Sequence, residues 1–231
     1  SGSTFGGFIS ELGYMLPRVS TGLFTDLIAH PTAGNYLWMT SDTGLYRNQN
    51  FNFTNWSDPA TVAQNSLQWE RVADRTSPGL SDDYLLTVVV DPLNPSALLV
   101  GARTHGIFSS SDGGATWTNR LSGAGDVKKI ELGNPWSFAA TAGGVYRSAN
   151  RGISWQQTSL GTRAWDVAID ENDSSHVYAA TQNGVYRSRV SGSSWELLSN
   201  ALIRAPVTAV EHATFQGRPM LLVSGGGKGI S

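Results

Sequence analysis

The chain contains no cysteine and only three lysines in 231 residues. Without cysteine there is no disulfide framework and no thiolate ligand for a metal. Charged residues make up 15% of the chain, the formal net charge is −2, and no basic block occurs, which argues against a nucleic-acid partner. No apolar run approaches the ~18–20 residues that a membrane-spanning helix requires, so no transmembrane segment is expected. Helical periodicity is missing as well: nowhere do apolar residues recur at three and four over two turns, and little helix is expected. The four histidines are scattered, no Gly-x-Ser-x-Gly elbow occurs, and Gly225–Gly229 lacks phosphate-loop spacing. No cofactor and no metal site is therefore expected.

What is present is glycine, at 26 positions, together with 40% hydrophobic residues, too apolar a mixture for disorder. The glycines are phased. Those at 44, 106, 144, 184 and 229 are 62, 38, 40 and 45 residues apart, and the first four open Gly-Leu-Tyr-Arg, Gly-Ile-Phe-Ser, Gly-Val-Tyr-Arg and Gly-Val-Tyr-Arg. A tryptophan follows each of these four: Trp69, Trp117, Trp155 and Trp195. A period near 40 residues is that of a propeller blade. Within one period, Ala164–Asp170, His176–Thr181, Val185–Ser188 and Ser194–Leu198 alternate in the manner of strands, with Gly, Asn, Asp and Ser between them. A four-stranded sheet has two faces to hide, and stacking such sheets around an axis hides both.

The expected fold is therefore all-β, a β-propeller of four-stranded antiparallel blades. The repeats give blades at about 23–72, 85–121, 127–160 and 164–199. A fifth, at 207–231, would be completed by residues 4–10, making the whole chain a single five-bladed domain. The alternative is a fragment of a larger propeller.

Ser110-Ser-Asp-Gly-Gly-Ala-Thr-Trp117 resembles an Asp box, Ser-x-Asp-x-Gly-x-x-Trp. Ser148–Trp155 is similar with Asn150 in the Asp place, and Ser188–Trp195 has Val190 there. Such boxes recur in sialidases, xyloglucanase-type glycosidases, sortilin-type domains and photosystem II assembly propellers. The resemblance implies the fold, with the box as a folding element, and leaves function open.

In a propeller, the loops before the inner strands and those joining second to third strands share the face at the mouth of the axis. Here that face is expected to carry Arg103, His105, Arg163, Trp165 and Lys228 as binding residues. Asp42, in Thr-Ser-Asp-Thr-Gly, is a turn-former; the resemblance to xyloglucanases also makes it a candidate catalytic carboxylate. Cleavage needs a second carboxylate ~5–9.5 Å away, for which Asp82 and Asp83 are candidates. Arg47, Arg147 and Arg187 recur in phase, which marks a structural job. Residues 48–68 break the repeat and bring Phe51, Phe53 and Trp56, aromatics suited to a partner contact or to covering the blade.

The expected role is a non-catalytic binding or assembly module engaging another protein or a glycan. A glycoside hydrolase of the Asp-box type, or its sugar-binding relic, is the alternative. A bacterial location outside the cytoplasm is favoured.

Overall fold

Five short apolar stretches, each beginning a period, become the innermost strands of five sheets. The protein is described from a computed structural model, over residues 23–52, 58–82, 84–198, 206–216 and 218–225. The first sheet runs β1 (Phe24–His30), β2 (Ala33–Ser41), β3 (Gly44–Asn48) and β4 (Glu70–Ala73). The second is β5 (Leu85–Asp91), β6 (Asn94–Ala102), β7 (Ile107–Ser110) and β8 (Thr118–Leu121). The third is β9 (Val127–Glu131), β10 (Ser137–Thr141), β11 (Gly144–Ser148) and β12 (Gln156–Gln157). The fourth is β13 (Ala164–Ile169), β14 (Val177–Thr181), β15 (Gly184–Ser188) and β16 (Glu196–Leu197). The fifth has β17 (Val207–Phe215) and β18 (Arg218–Gly225) among the described residues. All neighbouring strands are antiparallel, and one helix, α1 (Pro59–Leu67), lies between β3 and β4. No helix among the described residues is long and apolar enough to cross a membrane.

The second strands show why the sheets stack. Residues 37–41, 98–102 and 137–141 are buried on both faces of their sheets, because each face meets a neighbour. Trp38, Leu45 and Ala73 of the first sheet pack with Leu85, Val88, Phe108 and Trp117 of the second. Leu99 and Ile107 meet Val127, Ile130 and Ala139 in the next seam, with Trp155 against them. Phe138 and Val145 meet Ala164, Val167 and Val177, with Trp195, in the third. Each box tryptophan thus fills the seam toward the preceding sheet. A fully buried Phe138 alone contributes about 2–3 kcal/mol by area.

The turns before Trp117 and Trp155 are built the same way. Ser110 Oγ donates to Asp112 Oδ1 (2.7 Å) and accepts from Gly114 N–H (2.9 Å), and Trp117 Nε1 donates to the Gly114 carbonyl (3.0 Å). Ser148, Asn150, Gly152 and Trp155 repeat every one of these bonds. Val190 has no acceptor to offer; Ser188 still binds Gly192 N–H (2.8 Å), and Trp195 Nε1 turns to Thr158 Oγ1 of the third sheet (3.2 Å). The box glycine is required by proximity. A Cβ on Gly152 would meet Leu99 Cδ1 of the preceding sheet at 2.4 Å, and one on Gly192 would meet Phe138 at 2.8 Å.

Every inner strand carries a bulge near its start. Thr25, Leu86, Lys128, Trp165 and Thr208 are skipped in the pairing with the second strand. A bulge re-aims side chains. The residues that follow it in the five strands are Asp26, Thr87, Lys129, Asp166 and Ala209.

The inserted segment folds onto the first sheet. Asp58 caps α1 by accepting from Thr61 N–H (2.9 Å), with proline following directly. Asn65, fully buried, exchanges two bonds with the backbone of Asn52 at 2.9 Å each. Phe51 is 2% exposed among Leu37, Met39, Tyr46 and Trp69, edge-on to the Trp69 ring at 6.4 Å. Of the two roles expected for Phe51, a partner contact or covering the blade, this packing fits the second. Its ring is part of the domain's own core, because the first sheet has apolar side chains there to cover. Phe53 and Trp56 lie outside the described residues.

Candidate functional site at the axis mouth

One repeated backbone bond gathers the mouth loops. The hairpin joining second to third strand donates to the loop before the inner strand in four sheets: Asp42 N–H to Leu23 (3.2 Å), Arg103 to Tyr84 (2.9 Å), Ala142 to Asp126 (2.9 Å) and Gln182 to Arg163 (3.1 Å). The box turns bond instead to the hairpin at the other end of the sheet, Gly113 N–H to Ser96 and Ser191 N–H to Ser175. Arg103, His105, Arg163 and Trp165 therefore all belong to the mouth face, as do Asp42 and Asp82. Asp83 and Lys228 lie outside the described residues.

The acids on this face sit under the bases. Asp82, 7% exposed, accepts Thr104 N–H (3.1 Å) and Thr104 Oγ1 (2.6 Å) at Oδ2, and Tyr84 N–H (3.0 Å) at Oδ1. His105 Nδ1 lies 3.1 Å from the same Oδ2, and the imidazole is half exposed. Burial opposes the charge on Asp82, but the bonds from Thr104, His105 and Tyr84 outweigh it and hold the carboxyl below its ordinary range. His105 Nδ1 also lies 2.9 Å from Thr104 Oγ1, so this edge of the ring faces the Asp82–Thr104 pair. Arg103 stacks over the Tyr84 ring at 4.6 Å. Asp126 likewise receives Arg163 Nη2 at both oxygens (2.7 Å) and Lys128 Nζ (3.1 Å). Burial raises that carboxyl and the two cations outweigh the effect. Neither acid is available as a proton donor at neutral pH.

Asp42 differs. Its Oδ1 is buried without a hydrogen-bond partner among the described residues, while Ser41, Thr43 and Tyr46 bond among themselves beside it. Trp165, the bulge residue of β13, is half-buried at the rim. The arginines at 47, 147 and 187 perform structural work. Arg47 and Arg187 pair across strands with Glu70 and Glu196, and Arg147 stacks on Trp136 and binds the Ser191 carbonyl of the next sheet.

Beneath the mouth lies a charged axis that periodicity alone did not reveal. Lys129 is acted on by Asp166, Asp26, Glu131 and Glu211, from the fourth, first, third and fifth inner strands. Strands side by side in a flat row would set the first and fifth of these strands far from the third; that acids on all of them act on Lys129 fits strands curled around a common centre. Burial lowers the Lys129 pKa, and the four carboxylates outweigh it and raise the value above the ordinary 10.5. Burial pushes Glu131 up to about 7 and raises Asp166 as well. The signal was visible as charge inside otherwise apolar strands, in Phe24-Thr-Asp-Leu, Val127-Lys-Lys-Ile-Glu and Ala164-Trp-Asp-Val.

Comparison with known proteins bears on this geometry. No protein-family profile matches the chain. A xyloglucanase from Hypocrea jecorina is 28% identical over 167 residues, which are 70% of this chain and 18% of that protein. Among solved structures, the GH74 xyloglucanase from Xanthomonas campestris superposes with a TM-score of 0.65 at 17% identity, over 86% of this chain and 35% of the other. YCF48 bound to D1 peptide superposes at 0.58 and 14% identity, over 90% and 62%. The fold is that of a β-propeller. The chain spans about a fifth of the length of the curated relative and about a third of the Xanthomonas enzyme.

Proposed function

We propose that this chain is a non-catalytic glycan-binding module that holds its ligand on the mouth face. The observation that carries this reading is the state of the acids there. Glycoside cleavage requires one carboxyl kept protonated and a second as base or nucleophile, and Asp82 and Asp126 are ionised and committed to Thr104, His105, Arg163 and Lys128. What is left facing outward suits binding: the Trp165 indole as a platform, with Arg103, His105 Nε2 and Arg163 as hydrogen-bonding groups around it. The likeness to xyloglucanases supports a glycan over a protein partner. In this reading the repeated turns are Asp boxes that serve folding, and the protein works outside the cytoplasm; residues 4–10, expected to complete the fifth sheet, lie outside the described residues.

Xyloglucan oligosaccharide is the probe. Titration calorimetry should give binding, and Trp165→Ala should weaken it by about tenfold, the equivalent of ~1.4 kcal/mol. Absence of binding, or binding unchanged by that substitution, would refute the module. Asp42 favours the enzymatic alternative, since an unpartnered buried carboxylate oxygen invites a substrate hydroxyl. Release of reducing ends that Asp42→Asn abolishes would establish the hydrolase instead.

A further inference from the structure

On the mouth face the acids lie deep and the bases lie outside them. The Asp82 side chain is 7% exposed and that of Asp126 15%, against 53% for His105, 37% for Arg163 and 34% for Lys128. Each acid seats a base. Asp82 accepts Thr104 N–H, next along the chain from Arg103, and Tyr84 N–H, whose ring lies under the Arg103 guanidinium. Arg103 N–H in turn donates to the Tyr84 carbonyl (2.9 Å). The guanidinium itself has no carboxylate within ion-pair range among the described residues, so its N–H edge is unoccupied. Asp126 holds two cations with one charge. Arg163 reaches both its oxygens through Nη2 alone, which leaves Nη1 and Nε to donate elsewhere, and Lys128 adds an ammonium. The two groups adjoin: a Cβ on Gly101 would meet Val127 Cγ1 at 2.7 Å, so the end of β6 that leads into Arg103 abuts the start of β9 that carries Lys128. Asp42, the remaining acid of the site, belongs to the first sheet, and its Oδ1 is buried.

We infer a selectivity that rests on the glycan reading of this face: the mouth takes sugars that carry a carboxylate, and Arg103 is the residue that reads it. Buried acids under projecting bases present positive charge to an approaching ligand, although the chain as a whole carries a net charge of −2. A carboxylate is the anion that a planar guanidinium fits best, through paired N–H bonds that an ammonium does not offer. Stacking on Tyr84 fixes the plane of that fork before a ligand arrives. Trp165, two residues on from Arg163, supplies a ring face for the sugar whose acid group meets the arginines. A neutral oligosaccharide can use Trp165 in the same way, but it leaves the charge of Arg103 without a counterpart.

The test is titration calorimetry of the unaltered protein with a galacturonate oligomer and with the same oligomer fully methyl-esterified, a pair that differs in the charge of the carboxyl. The acid should bind about tenfold more tightly than the ester at low ionic strength, and the gap should narrow as salt is added. Arg103→Gln should close most of that gap, a ratio that a merely structural role for Arg103 would not move. Equal affinity for acid and ester in the unaltered protein, or a preference that survives Arg103→Gln, would overturn the selectivity and leave the glycan module standing. If neither oligomer binds and xyloglucan does not bind either, the module falls and the selectivity with it.

Discussion

Asp112 uses both carboxylate oxygens on a single turn. Oδ1 accepts from Ser110 Oγ and Thr116 N–H (3.0 Å), and Oδ2 accepts from the Thr116 hydroxyl. These bonds, the Thr116 hydroxyl first, hold its carboxyl at about 2 against an ordinary 3.8. The sign of the linkage follows. An acid with a depressed folded value supports the fold above the unfolded value and loses that support as pH falls through the folded one. Asp112→Ala should therefore lower the urea midpoint at pH 7, and the difference from the unaltered protein should shrink as pH drops from about 4 toward 2. The glycan binding proposed for the mouth face should be unaffected, since the turn lies at the far end of the sheet from Arg103 and Trp165. A midpoint unchanged at pH 7, or a variant that folds but no longer binds, would assign the box a role other than folding. Asn150 repeats the Oδ1 bonds, accepting from Ser148 Oγ and from Ser154 N–H at 2.9 Å each, while its Nδ2 donates to Ser154 Oγ where Asp112 accepts, and its turn should be indifferent to the same acid range.

At the scale of elements, the inserted segment between Asn48 and Trp69 shows how far periodicity reaches. The strands were legible because alternation and phased glycines repeat, and the tryptophans fixed where each outer strand begins. The nine-residue helix α1 was not, because one short amphipathic stretch carries no repeat signal beside four copies of a blade. Its start was nonetheless written in Asp58-Pro59, an N-cap followed by the residue that best tolerates the first turn. The mouth face was legible as a set of loops, yet which acids are occupied was not, since Thr104 under His105 and Lys128 beside Asp126 are matters of distance. The axis charges escaped for another reason: Lys129 and Asp166 become neighbours only when strands 37 residues apart (166 − 129) curl around one centre. For the insertion the structure gives a definite expectation. Phe51→Ala removes a fully buried ring from Leu37, Met39 and Trp69 and should destabilise the protein by about 3–5 kcal/mol in chemical denaturation. Deleting residues 50–66 should do at least as much harm, since it removes Phe51 itself and strips Asn48 of its bond to the Asn65 carbonyl. Unchanged melting after that deletion would mean the segment is an appendage.

For the molecule as a whole, the question is what draws five sheets together at a centre that carries like charges. The seams are apolar and would stack sheets in any number, whereas the axis brings Asp26, Glu131, Asp166 and Glu211 toward one another and repels them. Among the described residues Lys129 is the cation that acts on these acids, and it does so from a distance, since none of their carboxylates lies within ion-pair range of its ammonium. At an effective dielectric constant near 20, a unit charge about 7 Å away is worth ~2 kcal/mol, enough to matter against the marginal stability of a domain. Lys129→Met keeps the length of the stem and removes the charge. It should destabilise the fold by about 2 kcal/mol at pH 8, measured by urea denaturation, because the carboxylates are then left without their cation. The loss should be smaller at pH 5. Glu131, already held near 7, and Asp166, already raised, would take up protons more readily once Lys129 is gone, and a folded state that binds more protons than the unfolded one gains stability as pH falls. The double variant Lys129→Met with Glu131→Gln should recover most of the deficit at pH 8, as the two positions act on one charge balance. Additive losses in that pair would show that Lys129 supports the fold through its stem, and that the repulsion at the centre is balanced by some other group.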